Sequence, residues 1–284
     1  MTSRISGLSL LAGRYDVLLC DVWGVIHNGR DAFPAACAAL ARWISQAGPV
    51  ILISNAPRPE AAVAIQLDSL GVPRDAWTAI VTSGDVSREL LAARAPGPAW
   101  RIGPAKDDPL FEGLGLKFSG PATAKFIACS GPNDEETETP EDYREALSAA
   151  ATRGLTMICA NPDVVVQRGD RLIYCAGALA QLYKSLGGPV IEAGKPYPPI
   201  YDLAFERAEQ SLGAHVDRRR VLAVGDGVAT DLAGARAQGL DVLFVADGVH
   251  APEVLDTSGR IDPEALDHLI GDCEPSFVTR SLVW

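Results

Sequence analysis

Positive charge is in short supply in this sequence: 25 Lys and Arg face 36 Asp and Glu, for a formal charge of -11 and a pI near 4.8. Such a field repels phosphate backbones and anionic lipid, so nucleic acid and membrane surfaces are set aside as partners. No apolar run approaches the ~18–20 residues that a membrane-spanning helix needs. The one N-terminal stretch of that kind, Gly7 to Gly13, gives way to Arg14 and Asp16 before it could serve as a secretory signal. None of the six cysteines stands in a CxxC or other metal-ligand spacing, and four lie in apolar segments where a thiol behaves as a small hydrophobe. A cytoplasmic, reducing setting is expected. Fixed-period repeats and low-complexity stretches are missing as well.

What is present is ordinary soluble composition, 48% hydrophobic and 21% charged, which supplies a sizeable core. The 284 residues exceed one typical domain and suit two, since compact domains usually run to ~100–200 residues. Several short runs are apolar without alternation: Val17 to Cys20, Val50 to Ile53, Met157 to Ala160, Val221 to Val224 and Val242 to Val245. They read as strands buried on both faces. Helical patterns lie between them, at Ala35 to Ser45, Glu60 to Leu70, Val86 to Ala93, Glu141 to Ala151, Pro198 to Leu212 and Asp231 to Gln238. The alternation predicts α/β architecture with a mainly parallel, doubly wound sheet. Thr139 and Pro140 mark a helix start and Gly154 its end, whereas the Gly/Pro-rich stretch from Ala95 to Gly120 gives no assignment.

Doubly wound sheets bind ligands at the carboxyl ends of their strands. The residues following the apolar runs there are Asp21-Val22-Trp23-Gly24-Val25, Ser54-Asn55, Gly194-Lys195-Pro196 after Val190-Ile191, and Gly225-Asp226-Gly227 with Thr230-Asp231 beyond. Their physical sense is phosphoryl transfer through a carboxyl-phosphate, with Asp21 as nucleophile and a divalent ion screening two anions. Asp226 would hold that ion, and Mg²⁺, a hard cation that prefers oxygen ligands, suits the set. Ser54 and Lys195 would bind the non-bridging oxygens, while Asp231 would orient a metal-bound water or the helix start. Gly194-Lys195 is no nucleotide P-loop, because Pro196 stands where Ser or Thr is required.

In this order DVWGV, ISNAP, GKP and GDGVATD resemble the four motifs of the haloacid dehalogenase superfamily of phosphohydrolases. Motifs one and two are 33 residues apart (54 − 21), whereas 141 separate two from three (195 − 54), so a cap must lie in the second gap. A large α/β insert there resembles the class IIA branch, the NagD-like and 4-nitrophenyl-phosphatase-like proteins, and Ala160-Asn161-Pro162-Asp163 looks like a segment of their caps. The resemblance covers roughly residues 15 to 248. It implies a Rossmann-like core from residues 1–83 and 189–284 with an α/β cap at 84–188. It also implies hydrolysis of small soluble phosphate monoesters, with a homodimer compatible. Substrate or phosphate contacts would come from Ser54, Asn55, Lys195, Asn161 and Asp163, and metal contacts from Asp21, Asp226 and the Trp23 backbone carbonyl, supported by Gly225 and Asp231.

One position departs from the family. Its phosphatases usually carry a second Asp two residues after the nucleophile, to protonate the leaving alkoxide and then deprotonate water; here that position is Trp23. An indole cannot exchange a proton at neutral pH, and the role is typically worth ~10²–10⁴-fold in rate. Catalysis is then impaired, or confined to good leaving groups, or served by another residue. His27 is the nearest substitute for an acid/base, although a solvent-facing loop histidine is the simpler reading; His215, His250 and His268 read as surface residues. Cys175 reads as packed and Arg58 as opening a helix surface. Two rivals accompany the phosphatase reading: a non-catalytic or weakly active phosphate-binding protein on the same scaffold, and C–P cleavage. The latter would want a Schiff-base lysine such as Lys106, Lys117, Lys125 or Lys184.

Overall fold

The computed structural model describes residues 2–168 and 171–284. In chain order its strands are β1 (Ser3–Arg4), β2 (Val17–Cys20), β3 (Val50–Ser54), β4 (Ala79–Thr82), β5 (Ala99–Ile102), β6 (Phe126–Cys129), β7 (Thr156–Cys159), β8 (Val165–Arg168), β9 (Arg171–Tyr174), β10 (Val190–Glu192), β11 (Val221–Gly225), β12 (Asp241–Val245) and β13 (Phe277–Thr279), and its helices include α1 (Pro34–Gln46), α2 (Glu60–Ser69), α3 (Ser83–Ala92), α4 (Arg144–Thr152), α5 (Ala176–Ser185), α6 (Pro198–Leu212) and α7 (Ala233–Gln238). The chain packs into two compact units, one of Met1–Ser54, Ala64–Val81 and Tyr201–Trp284, the other of Asn55–Val63 and Thr82–Ile200. The segments 55–63 and 189–200 belong by their contacts to the second unit.

The first unit carries a seven-stranded sheet in the order β1-β13-β12-β11-β2-β3-β4. Its centre is apolar on both faces: every residue of β2, β3 and β11 is buried, which is why these strands read as unbroken hydrophobic runs. β2 pairs in parallel with β3 on one side and β11 on the other. From β2 the chain builds outward to β3 and β4, and it returns through β11 to build the other way, so the strand order reverses between β2 and β11. That reversal opens the crevice where doubly wound sheets bind ligands. Helix α1 (Pro34–Gln46) covers the sheet with Ala36, Cys37, Ala39, Leu40 and Trp43, and Pro34 starts it where a missing N–H costs nothing.

The second unit is built on a four-stranded sheet, β10-β7-β6-β5, parallel throughout, with a separate antiparallel hairpin of β8 and β9. Period-two alternation gives this sheet two cores. Ile127, Cys129, Met157 and Cys159 face α4 (Arg144–Thr152) and α5 (Ala176–Ser185) with Leu147, Leu179 and Tyr183; Phe126, Ala128, Ile158 and Ala160 pack with Leu91, Leu110 and Phe111. Thr139 and Asp142 form a capping box ahead of α4, Pro140 takes the first helical position, and Gly154 leaves the helix at φ +67°. The unassigned stretch after Ala95 contains β5 and a 3-10 turn at Ala105–Leu110; half-exposed Trp100 and Arg101 deprive β5 of a continuous apolar signal. No helix among the described residues is long and apolar enough to cross a membrane.

Candidate active site

In the first unit, the crevice between β2 and β11 receives a carboxylate from each strand. Cys20 lies opposite Val224 in the parallel register, and the Asp21 N–H donates to the Val224 carbonyl at 2.8 Å, so Asp21 and Asp226 leave neighbouring strand ends together. Asp231 joins them from the single π-helical turn Val228–Leu232 that precedes α7 (Ala233–Gln238). All three are buried, and each offers an oxygen within 4.8 Å of the others. The sequence reading gave Asp231 only an indirect role; the structure puts it in the same group. Ser54 ends β3, the neighbour of β2, and is buried too.

Each carboxylate is held by backbone. Asp21 Oδ1 accepts the Val22 N–H at 2.7 Å, Asp226 Oδ2 accepts the Val249 N–H at 2.6 Å, and Asp231 Oδ2 accepts the Gly227 N–H at 3.1 Å. Glycines make the room. A Cβ on Gly24 would lie 1.9 Å, and one on Gly248 2.1 Å, from Asp226 Oδ2, and a Cβ on Gly225 would lie 2.1 Å from Asp231 Cγ. Gly24 also sits at φ +81°, a conformation that favours glycine. Gly248 and Val249 escaped the sequence reading, although they follow β12 and the strand-end rule points there.

Three desolvated like charges this close are costly unless a cation offsets them. All-oxygen donors on rigid backbone match a hard divalent ion, so Asp21, Asp226 and Asp231 fit Mg²⁺.

In the second unit, Asn55, Asp163 and Lys195 come together. The Asn55 amide accepts the Lys195 N–H at 2.7 Å, and donates to the Lys195 carbonyl at 3.2 Å and to Asp163 Oδ1 at 2.8 Å. Lys195 is 2% exposed. Asn161, at the end of β7, accepts the Asp163 N–H at 3.0 Å and so shapes that turn.

His27 corrects the sequence expectation: it is 1% exposed, and its Nδ1 accepts the Gly29 N–H at 2.9 Å. His215 and His268 are exposed and His250 is half-buried. Cys175 is packed, and burial pushes its thiol well up. Arg58 precedes the helix α2 (Glu60–Ser69) instead of opening it, and pairs with buried Asp107 at 3.6 Å. Burial raises the Asp107 carboxyl against the opposing pull of Ser130, Lys106 and Arg58.

Comparison with known proteins gives the family. Residues 18–117 match the family described as haloacid dehalogenase-like hydrolase, and residues 192–279 match the HAD-hydrolase-like family. A crystal structure of a haloacid dehalogenase-like hydrolase from Brucella suis is 43% identical with a TM-score of 0.89, over 98% of this chain and 100% of that one. The D-glycerol 3-phosphate phosphatase of Mycobacterium tuberculosis is 29% identical over 85% of this chain; the chain spans 65% of that protein's length. A glycerol phosphate phosphatase from the same organism, solved in complex with magnesium, shares the fold at 24% identity and a TM-score of 0.65, over 95% of this chain and 76% of that one. The chain therefore belongs to the haloacid dehalogenase-like hydrolases.

Proposed function

We propose that the protein hydrolyses small phosphate monoesters through an aspartyl-phosphate formed on Asp21. The observation that carries this reading is the buried group of Asp21, Asp226 and Asp231 at the strand-order reversal of the sheet. The Val22 N–H fixes the rotation of the Asp21 carboxylate through Oδ1, and Oδ2 attacks phosphorus as the ester P–O bond breaks. Water then displaces Asp21 and releases inorganic phosphate. Asp226 and Asp231, with the Trp23 backbone carbonyl, would hold Mg²⁺ beside the nucleophile. When bound, the ion screens the anion–anion approach and stabilises charge on the transferring group. Ser54, Asn55 and Lys195 are assigned the non-bridging oxygens, and Gly225 keeps room for Asp231. Residues 84–188 are assigned as the cap that selects the substrate, and a relative named for D-glycerol 3-phosphate favours small alkyl esters.

A C–P cleavage reading finds no support in the lysines it would need. Lys106 pairs with Glu135 and Lys184 with Glu192, while Lys117 and Lys125 are exposed, and a Schiff-base lysine wants a desolvated amine. Trp23 favours one second reading, a phosphate-binding protein of weak turnover. Phosphate release from a panel of esters, with and without Mg²⁺, separates the two. Mg²⁺-dependent release that Asp21→Asn abolishes is the expected result; no release from any ester by the wild type leaves the binding protein.

A further inference from the structure

The Asn161-Pro162-Asp163 turn in the second unit has a polar target that is a protein group. The orientation of the Asn55 amide is fixed by its partners, because the Lys195 N–H can only donate, and the Asp163 carboxylate and the Lys195 carbonyl can only accept. One amide thus grips Lys195 at both its N–H and its C=O, and Asp163 anchors the amide nitrogen from the other side. Several neighbouring residues shape this arrangement. A Cβ on Gly194 would lie 2.3 Å from Asn55 Oδ1, so only glycine lets the amide reach the chain there. Gly177, in the first turn of α5, donates to the Asp163 carbonyl at 3.1 Å, and a Cβ on it would lie 2.1 Å from the Pro162 carbonyl oxygen. Asn161 Oδ1 closes the turn on the Asp163 N–H.

We infer that Asp163 is a positioning residue for Lys195: by accepting from Asn55 it aims the amide that clamps the Lys195 backbone, and through that clamp it sets where the buried ammonium group is held. This deepens the phosphatase reading and rests on it for the role of Lys195. It assigns Asp163 to the phosphate end of any substrate, shared by all esters, and not to the variable alcohol.

The test uses the full chain with Mg²⁺, aryl and alkyl phosphates, and inorganic phosphate as product inhibitor. Asp163→Ala should lower kcat/KM by about tenfold and weaken phosphate inhibition, by a similar factor for every ester. Asp163→Asn, which keeps an acceptor oxygen there, should restore most of the loss. Asn55→Asp should be worse than Asn55→Ala, since it turns an acceptor toward two acceptors. The backbone amide resonance of Lys195 reads the same clamp without turnover, and should move alike in Asp163→Ala and Asn55→Ala. A loss confined to one class of ester with phosphate inhibition intact would make Asp163 a substrate contact and overturn the inference, as would a Lys195 resonance unmoved in folded Asp163→Ala. A wild type without phosphatase activity whose Lys195 resonance still responds would remove the reaction and keep the clamp.

Discussion

The indole of Trp23 meets the imidazole of His27 edge-on, with ring centroids 5.0 Å apart and planes at 68°. Gly29 completes the arrangement. At φ +82° it donates its N–H to His27 Nδ1, and a Cβ on it would lie 2.5 Å from the far edge of the indole. The residue that stands where the family places a proton-transferring carboxyl is thus built into loop packing. The Nδ1 of His27 is engaged by the loop backbone, so His27 serves here as a packing partner.

If nothing replaces the missing carboxyl at residue 23, the leaving oxygen of the proposed reaction should depart as an anion, and the rate should depend steeply on leaving-group pKa. Aryl phosphates should be cleaved far faster than alkyl phosphates. Trp23→Asp should raise alkyl ester turnover selectively, within the ~10²–10⁴-fold that acid/base help supplies. His27→Ala should lower the melting temperature and leave the leaving-group dependence unaltered. A Brønsted plot for the three proteins checks this; a flat wild-type plot that steepens in His27→Ala would return the acid/base role to His27.

Stability at low pH should carry the mark of Asp16. The hydrogen bond from Arg220 holds its carboxyl below the ordinary range, outweighing a small opposing effect of burial. A carboxylate with a lowered folded-state pKa stabilises the fold above its unfolded value of ~3.9, and loses that contribution as pH falls through the folded value. Both partners are roughly half-exposed, so solvent screening keeps the effect small. Asp16→Asn should melt slightly lower than wild type at pH 6 and together with it near pH 2; a constant gap across that range would count against the pair.

The parts of this architecture that could be read from sequence are those where burial on both faces leaves an unbroken apolar run, as in β2, β3 and β11. β5 was illegible because Trp100 and Arg101 are half-exposed, and β8 and β9 because their hairpin has no such run. The carboxylates of the site follow strand ends and were found by that rule. Among their supports Gly225 is legible, but Gly248 and Val249 are not, lying 22 and 23 residues beyond Asp226; Asp163 is named from the resemblance, yet its hydrogen bond to Asn55 spans 108 residues (163 − 55). A hydrogen-bond partner at that separation is set by tertiary packing, which local periodicity does not encode. Trp23 was legible as an absence, but its packing on His27 and Gly29 was not.

The cysteines should differ sharply in reactivity. Burial pushes Cys129 up to about 12 and raises Cys37, Cys159 and Cys175, whereas Cys273 is only half-buried. The thiolate is the nucleophile, so at pH 8 only roughly one Cys129 thiol in ten thousand is reactive even before access is considered. Iodoacetamide should therefore modify Cys273 first in the native protein and reach the buried five only on unfolding, as followed by mass spectrometry. Early labelling of Cys129 or Cys159 would show that the second unit opens locally far more readily than its packing implies.

The cation site should fail when Asp226 is displaced by a single methyl group. Gly248 approaches the Asp226 carboxylate so closely that a Cβ would lie 2.1 Å from Oδ2 and 2.3 Å from the Asp226 Cβ, and the adjacent Val249 N–H holds the same oxygen. Gly248 has no positive φ, so in Gly248→Ala the cost is steric and falls on Asp226. Gly120→Ala is the matched control, since a Cβ there meets nothing within 4 Å. Bound cation stabilises the folded state by mass action, so the wild-type melting temperature should rise with Mg²⁺. Displacing a ligand or its support typically weakens a metal site 10–100-fold, so Gly248→Ala should need at least about tenfold more Mg²⁺ for the same rise. Gly120→Ala should follow wild type. A Gly248→Ala protein that folds and responds to Mg²⁺ at the wild-type midpoint would show that Asp226 is not a ligand, and would leave Asp21 and Asp231 to hold the ion without it.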